Sequence, residues 1–361
     1  MVVSRTAEIA VIPAPTGAEV TRAARVTEWW REDDWGGVHT DTTGNVWAAV
    51  RPGRTRAGRD GAIVLAAHLD TVFPADLPHT VHQQDGRLVG PGVGDDSVAL
   101  AALSAVGTLL AGTTSRPVWL LATVGEEGLG NLRGITAALD GFASPIEALL
   151  VLEGNYLGRV SATGVGSLRW RVRVSGPGGH AWEASEVPSA VHVAADIVRD
   201  IVHLAGTGVG AVVNVGRIGG GEAINARARE CWFELDIRAD HPEALASLES
   251  DARALIETNS PDTVKVEIDE LGRRPAGTLD PDHALVRAAV AALEESGITP
   301  TFVATSTDAN AAHVRGIPAV TLGVTTGSGE HTPREWIDIA PIAQGLSVLA
   351  RTVMKFEEAT R

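Results

Sequence analysis

Ala62-Ile-Val-Leu-Ala-Ala-His-Leu-Asp70 is a short apolar run that ends on a histidine and an aspartate. Ala62 to Ala67 has the length and continuous apolarity of a strand buried on both faces. Val46 to Val50, Val118 to Thr123 and Ala148 to Leu152 have the same character, each bounded by glycine, proline or charged residues. Between them, Ser97 to Leu110 has helical length and Ala/Leu content, with Asp96 or Ser97 placed to cap it. Strands alternating with helices predict an α/β fold with a largely parallel sheet covered by helices.

The pattern changes after about Gly166. Leu168-Arg-Trp-Arg-Val-Arg-Val174 alternates strictly, as a strand with one wet face does. Next come a helix over Pro188 to His203, strands over Gly210 to Ile218 and Cys231 to Ile237, a helix over Pro242 to Glu257 and a strand over Thr263 to Asp269. That order is β-α-β-β-α-β, the ferredoxin-like split βαβ sandwich. After Pro275 the α/β pattern resumes, with a helix over His283 to Ser296 and a strand over Pro318 to Gly323. The expected organisation is a catalytic domain in two parts, 1–165 and 273–361, with a smaller domain, 166–272, inserted between them.

The 361 residues exceed one ordinary core, in keeping with two domains. A formal net charge of −15 argues against a broad nucleic-acid or anionic-membrane surface, since both need clustered Lys and Arg. Cys231 is the single cysteine, which excludes an internal disulfide framework and any CxxC metal site. The first residues lack an apolar core of signal-peptide length, and no clean membrane span is visible, so a soluble cytoplasmic protein is the expectation.

The acidic and histidine residues fall at telling places. His68 and Asp70 end one strand, and Asp95 and Asp96 precede the Ser97 helix. Glu126 and Glu127 end the Val118 strand, Glu153 ends the next, and His331 comes after the Pro318 strand and a Gly-rich loop. Each lies just beyond a strand or at the mouth of a helix, the edge of an open α/β sheet where sites are built. Any one of these clusters read alone is ordinary surface chemistry. Together they would crowd carboxylates that raise one another's pKa. Bound divalent cations remove that cost, and carboxylates with imidazoles suit zinc or a similar metal.

The series AHLDTVFP, GPGVGDDS, TVGEEG, VLEGN, SGPGGHAW, STDANAA and GEHTPREW resembles the co-catalytic zinc peptidases and deacylases over nearly the whole chain. That family includes glutamate carboxypeptidase, acetylornithine deacetylase, succinyl-diaminopimelate desuccinylase, the acyl-amino-acid hydrolases and peptidase T. The resemblance implies two divalent ions, zinc first and cobalt or manganese as substitutes, bridged by Asp95. His68 and Glu153 would complete one metal, and Glu127 and His331 the other. It further implies that Asp70 orients the imidazole of His68 through its other nitrogen. Glu126 would be the general base that takes a proton from the attacking water, and His180 would help to stabilise the oxyanion. In relatives the equivalent of His180 enters from the second subunit of a dimer, so a homodimer is implied. Asn225 and Arg274 match positions that grip the substrate, with the choice between Arg273 and Arg274 open. The implied substrate is a small peptide or N-acyl amino acid. Two departures stand out: many relatives read Asp-Asp-Lys where this chain has Asp95-Asp96-Ser97, and some aminopeptidases carry Asp at the Glu153 position.

Two other readings compete. Gly128-Leu-Gly130-Asn-Leu-Arg-Gly134 comes after a strand and could mimic a dinucleotide loop of a nicotinamide enzyme, yet Glu126 and Glu127 would repel a pyrophosphate there. A non-catalytic binding protein could keep the fold, although the intact ligand set and Glu126 argue otherwise.

Overall fold

The computed structural model describes residues 1–50, 61–206 and 210–361. The chain divides into two compact units, one of Met1–Gly164 with Thr278–Arg361 and one of Val165–Gly277.

In the first unit the sheet runs in the order Gly36–Thr40, Val46–Val50, Val118–Thr123, Ala62–His68, Ile146–Glu153, Ala319–Gly323, Arg159–Gly164. The four strands from Val118–Thr123 to Ala319–Gly323 are mutually parallel, and antiparallel partners flank them on both sides. Alternation is hidden inside the apolar runs. Ile63, Leu65 and Ala67 join Leu120, Leu150 and Leu152 on one face, under the helices Val98–Leu110, Ala284–Glu295 and Ile342–Ala359. Val64, Ala66, Leu121 and Leu149 face the other way, against the helices Arg133–Gly141 and Ala309–His313. Burial on both faces is why these strands carry no polar positions until their ends. Among the described residues, the stretch Val93–Leu110 is long and apolar enough to cross a membrane, but 83% of it is buried inside the unit.

The helix expected from Ser97 begins at Val98, and the Ser97 side chain makes no cap hydrogen bond. Asp96 does not cap it either, because its carboxylate accepts from the His68 amide at 3.1 Å.

The second unit has an antiparallel sheet in the order Ala211–Gly220, Glu230–Ala239, Gly166–Ser175, Lys265–Arg274. Its helices, Ala190–Ile201 and Pro242–Thr258, lie on one face, giving the β-α-β-β-α-β order. Leu168, Trp170, Val172 and Val174 point into that core. Arg169, Arg171 and Arg173 point away and pair with Asp236, Glu234 and Asp269. The unit extends to Gly277 because its last strand continues past Asp269 to Arg274.

Candidate metal centre

The parallel strands end on one edge of the first unit, and the polar residues gather there. His68 is the last residue of Ala62–His68, and Glu153 the last of Ile146–Glu153. Asp95 and Asp96 lie in the turn before the helix Val98–Leu110, joined by a cis peptide. The Asp95 carboxylate reaches an imidazole with each oxygen: Oδ1 is 2.8 Å from His68 Nε2, and Oδ2 is 3.1 Å from His331 Nε2. His331 Nε2 also lies 3.3 Å from Glu127 Oε1. Donor atoms of Asp95, Glu127 and His331 fall within 4.8 Å of one another, as do those of His68, Asp96 and Glu153, and of His68, Glu126 and Glu127. The five expected ligands therefore share one site, and Asp96, to which the sequence assigns no ligand role, joins them. His331 adopts φ +63°, a left-handed backbone that non-glycine residues rarely hold and that tends to mark functional positions.

Asp70 has a wider task than expected. The His68 Nδ1 is 2.9 Å from the Asp70 backbone carbonyl and 3.6 Å from its carboxylate, so the main chain is the nearer partner. The carboxylate instead accepts from the amides of Glu126 (3.0 Å) and Glu127 (2.9 Å) and from the Thr16 hydroxyl (2.8 Å). One side chain thus fixes the backbone that presents both glutamates. The Gly128–Gly130 run is a single 3-10 turn directly after Glu127.

Glu335 lies in the GEHTPREW motif, which assigns it no role, and the structure shows it holding the backbone of the site. It lies in a segment that pairs Trp336–Asp338 with Arg87–Val89. Its carboxylate accepts from the amides of Gly92 (2.8 Å), Gly94 (2.8 Å) and Asp95 (2.7 Å), holding the turn that carries Asp95. On the other side a Cβ on Gly154 would overlap the Gly94 carbonyl, so the end of the Glu153 strand approaches that turn through a glycine. Glu335→Ala is expected to strand these amides. An unpaired buried donor costs about 1–3 kcal/mol, so urea denaturation should show a loss of at least about 3 kcal/mol. A loss below about 1 kcal/mol would mean that the turn holds itself.

Charge crowding is evident. Burial and then Asp96 and Asp95 push the Glu153 carboxyl well above its ordinary value, and burial with Asp95 pushes Glu127 up to about 7. Burial would also raise Asp95, but the hydrogen bonds from His331 and His68 outweigh it and hold Asp95 down. The hydrogen bonds to Asp95 and Glu127 raise His331 to about 10. These shifts reflect a repulsion among carboxylates that a divalent ion would relieve, and a set of imidazoles and carboxylates fits zinc chemistry.

The remaining expected residues lie in the second unit. His180 is exposed in a two-stranded ribbon, Gly179–His180 with Ala226–Arg227, and the Ala181 amide donates to the Asn225 carbonyl at 2.9 Å. His180 and Asn225 are therefore neighbours. Arg273 is held at the surface by Glu249 and Glu270, whereas Arg274 is only 4% exposed, so Arg274 is the one that turns inward.

Residues 64–355 match the model of peptidase family M20/M25/M40, and the chain belongs to that family. Its fold is similar to that of aminopeptidase PepT from Bacillus cereus (21% identity, 98% of each chain covered, TM-score 0.82). It is also similar to a tripeptidase from Staphylococcus aureus (20% identity, covering 99% of this chain and 98% of that one, TM-score 0.83). A Bacillus subtilis protein described as a dinuclear metal binding peptidase of the M20 family matches at 17% identity, covering 98% and 96% of the two chains, with a TM-score of 0.72. The chain is thus an enzyme of a peptidase family, and it carries three groups of His, Asp and Glu donors close enough together to hold a metal ion.

Proposed function

We propose that the chain hydrolyses the amide bond of a small peptide or N-acyl amino acid at two bridged divalent ions, zinc first, with cobalt or manganese as substitutes. The observation that supports this most directly is the Asp95 carboxylate, which offers one oxygen to each of two imidazoles. In this reading Asp95 would serve both ions, His68 and Glu153 would complete one position, and Glu127 and His331 the other. Asp96 reinforces the first position through the His68 amide.

Two divalent ions held there supply Lewis acidity and a lowered pKa for water. The protein's own part is proton transfer and orientation. Glu126 takes the proton of the attacking water and returns it to the leaving nitrogen. Its backbone is pinned by Asp70, so its side chain begins from a fixed point. Glu127 cannot share the role, since a carboxylate bound to a metal is not free to accept a proton. The second unit acts as a lid and dimerisation domain. Asn225 and Arg274 grip the substrate, Arg274 through the fork that suits a carboxylate. His180, delivered by the other subunit of a homodimer, donates to the developing oxyanion. The cytoplasm is the proposed compartment, and with a net charge of −15 neither nucleic acid nor an anionic membrane is a proposed partner.

Dipeptides, tripeptides and N-acyl amino acids, assayed for released amine with added zinc, cobalt or manganese, test the activity. Turnover of at least one class is expected; metal-loaded protein inert towards all of them would leave a binding protein with a hydrolase fold. Sedimentation tests the dimer. A fully active preparation that is monomeric at micromolar concentration would exclude a cross-subunit His180.

A further inference from the structure

Arg22 lies in the helix Val20–Glu32 and is wholly buried, an unusual place for a guanidinium. Its Nε donates to the Ile12 carbonyl at 2.8 Å and its Nη1 to the Leu69 carbonyl at 3.2 Å, while Nη2 has no hydrogen-bond partner among the described residues. Leu69 is the residue between His68 and Asp70. Burial lowers the Arg22 pKa to about 10, against the opposing influence of Asp70, Asp96, Glu335 and Asp95, so it stays charged at neutral pH. Two carbonyl bonds are poor compensation for burying a charge. The Leu69 carbonyl it holds belongs to the segment that carries His68 and Asp70, and the charges acting on the guanidinium are the site carboxylates Asp70, Asp96, Glu335 and Asp95.

We propose that Arg22 is a positioning residue and the fixed counter-charge of the metal centre, holding the 68–70 segment and offsetting carboxylate repulsion while the ions are absent. The inference rests on the two-metal reading of the cluster. It separates from a purely structural role by the sign of one effect. A structural arginine, once removed, loosens the ligands and weakens metal binding. A counter-charge also repels incoming cations, so its removal destabilises the metal-free protein and tightens metal binding.

The test uses the full chain, stripped of metal and held at pH 8, as wild type and as R22M, R22Q and R22K. Zinc affinity is measured by competition with a chromophoric chelator, and melting is monitored with and without zinc. R22M and R22Q are expected to melt lower than wild type without metal, to regain most of the difference with zinc, and to bind zinc about tenfold more tightly or better. R22K keeps the charge but loses the fork, so it should melt lower while its zinc affinity stays within about threefold of wild type. Neutral variants with unchanged or weaker zinc binding overturn the counter-charge role, as do neutral variants that cannot be recovered folded even with zinc present. A wild type that binds no zinc, cobalt or manganese overturns the two-metal reading, and this inference with it.

Discussion

Glu126→Gln is expected to lower kcat by about 10²–10⁴-fold, the range that general-base catalysis contributes, while metal content and fold barely change. The substitution keeps the size of a side chain that is only 5% exposed and removes its capacity to hold a proton. Its backbone hydrogen bond to Asp70 is untouched, so the turn stays in place. KM should move little, because the substrate contacts proposed lie with Asn225, Arg274 and the metal ions. Glu127→Gln should differ in kind. Its carboxylate sits with Asp95 and His331, so one ion is weakened and excess metal restores part of the activity. The pair is what discriminates. Near-full activity in Glu126→Gln, beside a loss in Glu127→Gln that metal does not rescue, would show the two roles to be reversed.

Removal of metal should have an effect as large. Dialysis against a strong chelator is expected to abolish turnover, and zinc, cobalt or manganese to restore it. Stability should change in parallel, because an ion that binds the folded state alone stabilises it: at a free concentration of 100 times Kd this is about 2.7 kcal/mol for each site. The crowded carboxyls of Glu153 and Glu127 make the metal-free site the weaker state. Melting should fall by about 5–10 °C on metal removal. Chelator-treated protein that keeps full activity, with metal absent by elemental analysis, would exclude a metal-dependent reaction.

Side-chain chemistry is the most legible part of this chain. His68, Glu153 and the Glu126-Glu127 pair can be read because buried parallel strands are apolar along their length, so the first polar residue marks the edge of the sheet. The strand Val118–Thr123 shows the same bounds in sequence and structure for that reason. The helices Val2–Ala10 and Ile342–Ala359 escape such a reading because neither adjoins a chemical motif. The role of Glu335, though the residue stands in GEHTPREW, is hidden for a different cause. Its partners are main-chain amides of Gly92, Gly94 and Asp95, and a backbone donor leaves no trace in residue type. Arg22 draws no reading from the sequence, since only the fold reveals the carbonyls that face it. Asp96 reads as a helix cap, as an acid before a helix commonly is; the His68 amide claims it instead.

The hold of Glu335 on the Asp95 turn bears on how a finished site arises from a growing chain. The strands Ala62–His68, Val118–Thr123 and Ile146–Glu153 are all made before residue 160, and their mutual pairing needs no later segment. The turn they surround does need one: its amides at Gly92, Gly94 and Asp95 remain unanswered until Glu335 has been synthesised and docked. A ribosome-released fragment ending before Gly327 would lack both His331 and this clasp. The last stretch of the chain therefore completes both the sheet, through Ala319–Gly323 beside Ile146–Glu153, and the centre, through His331 and Glu335.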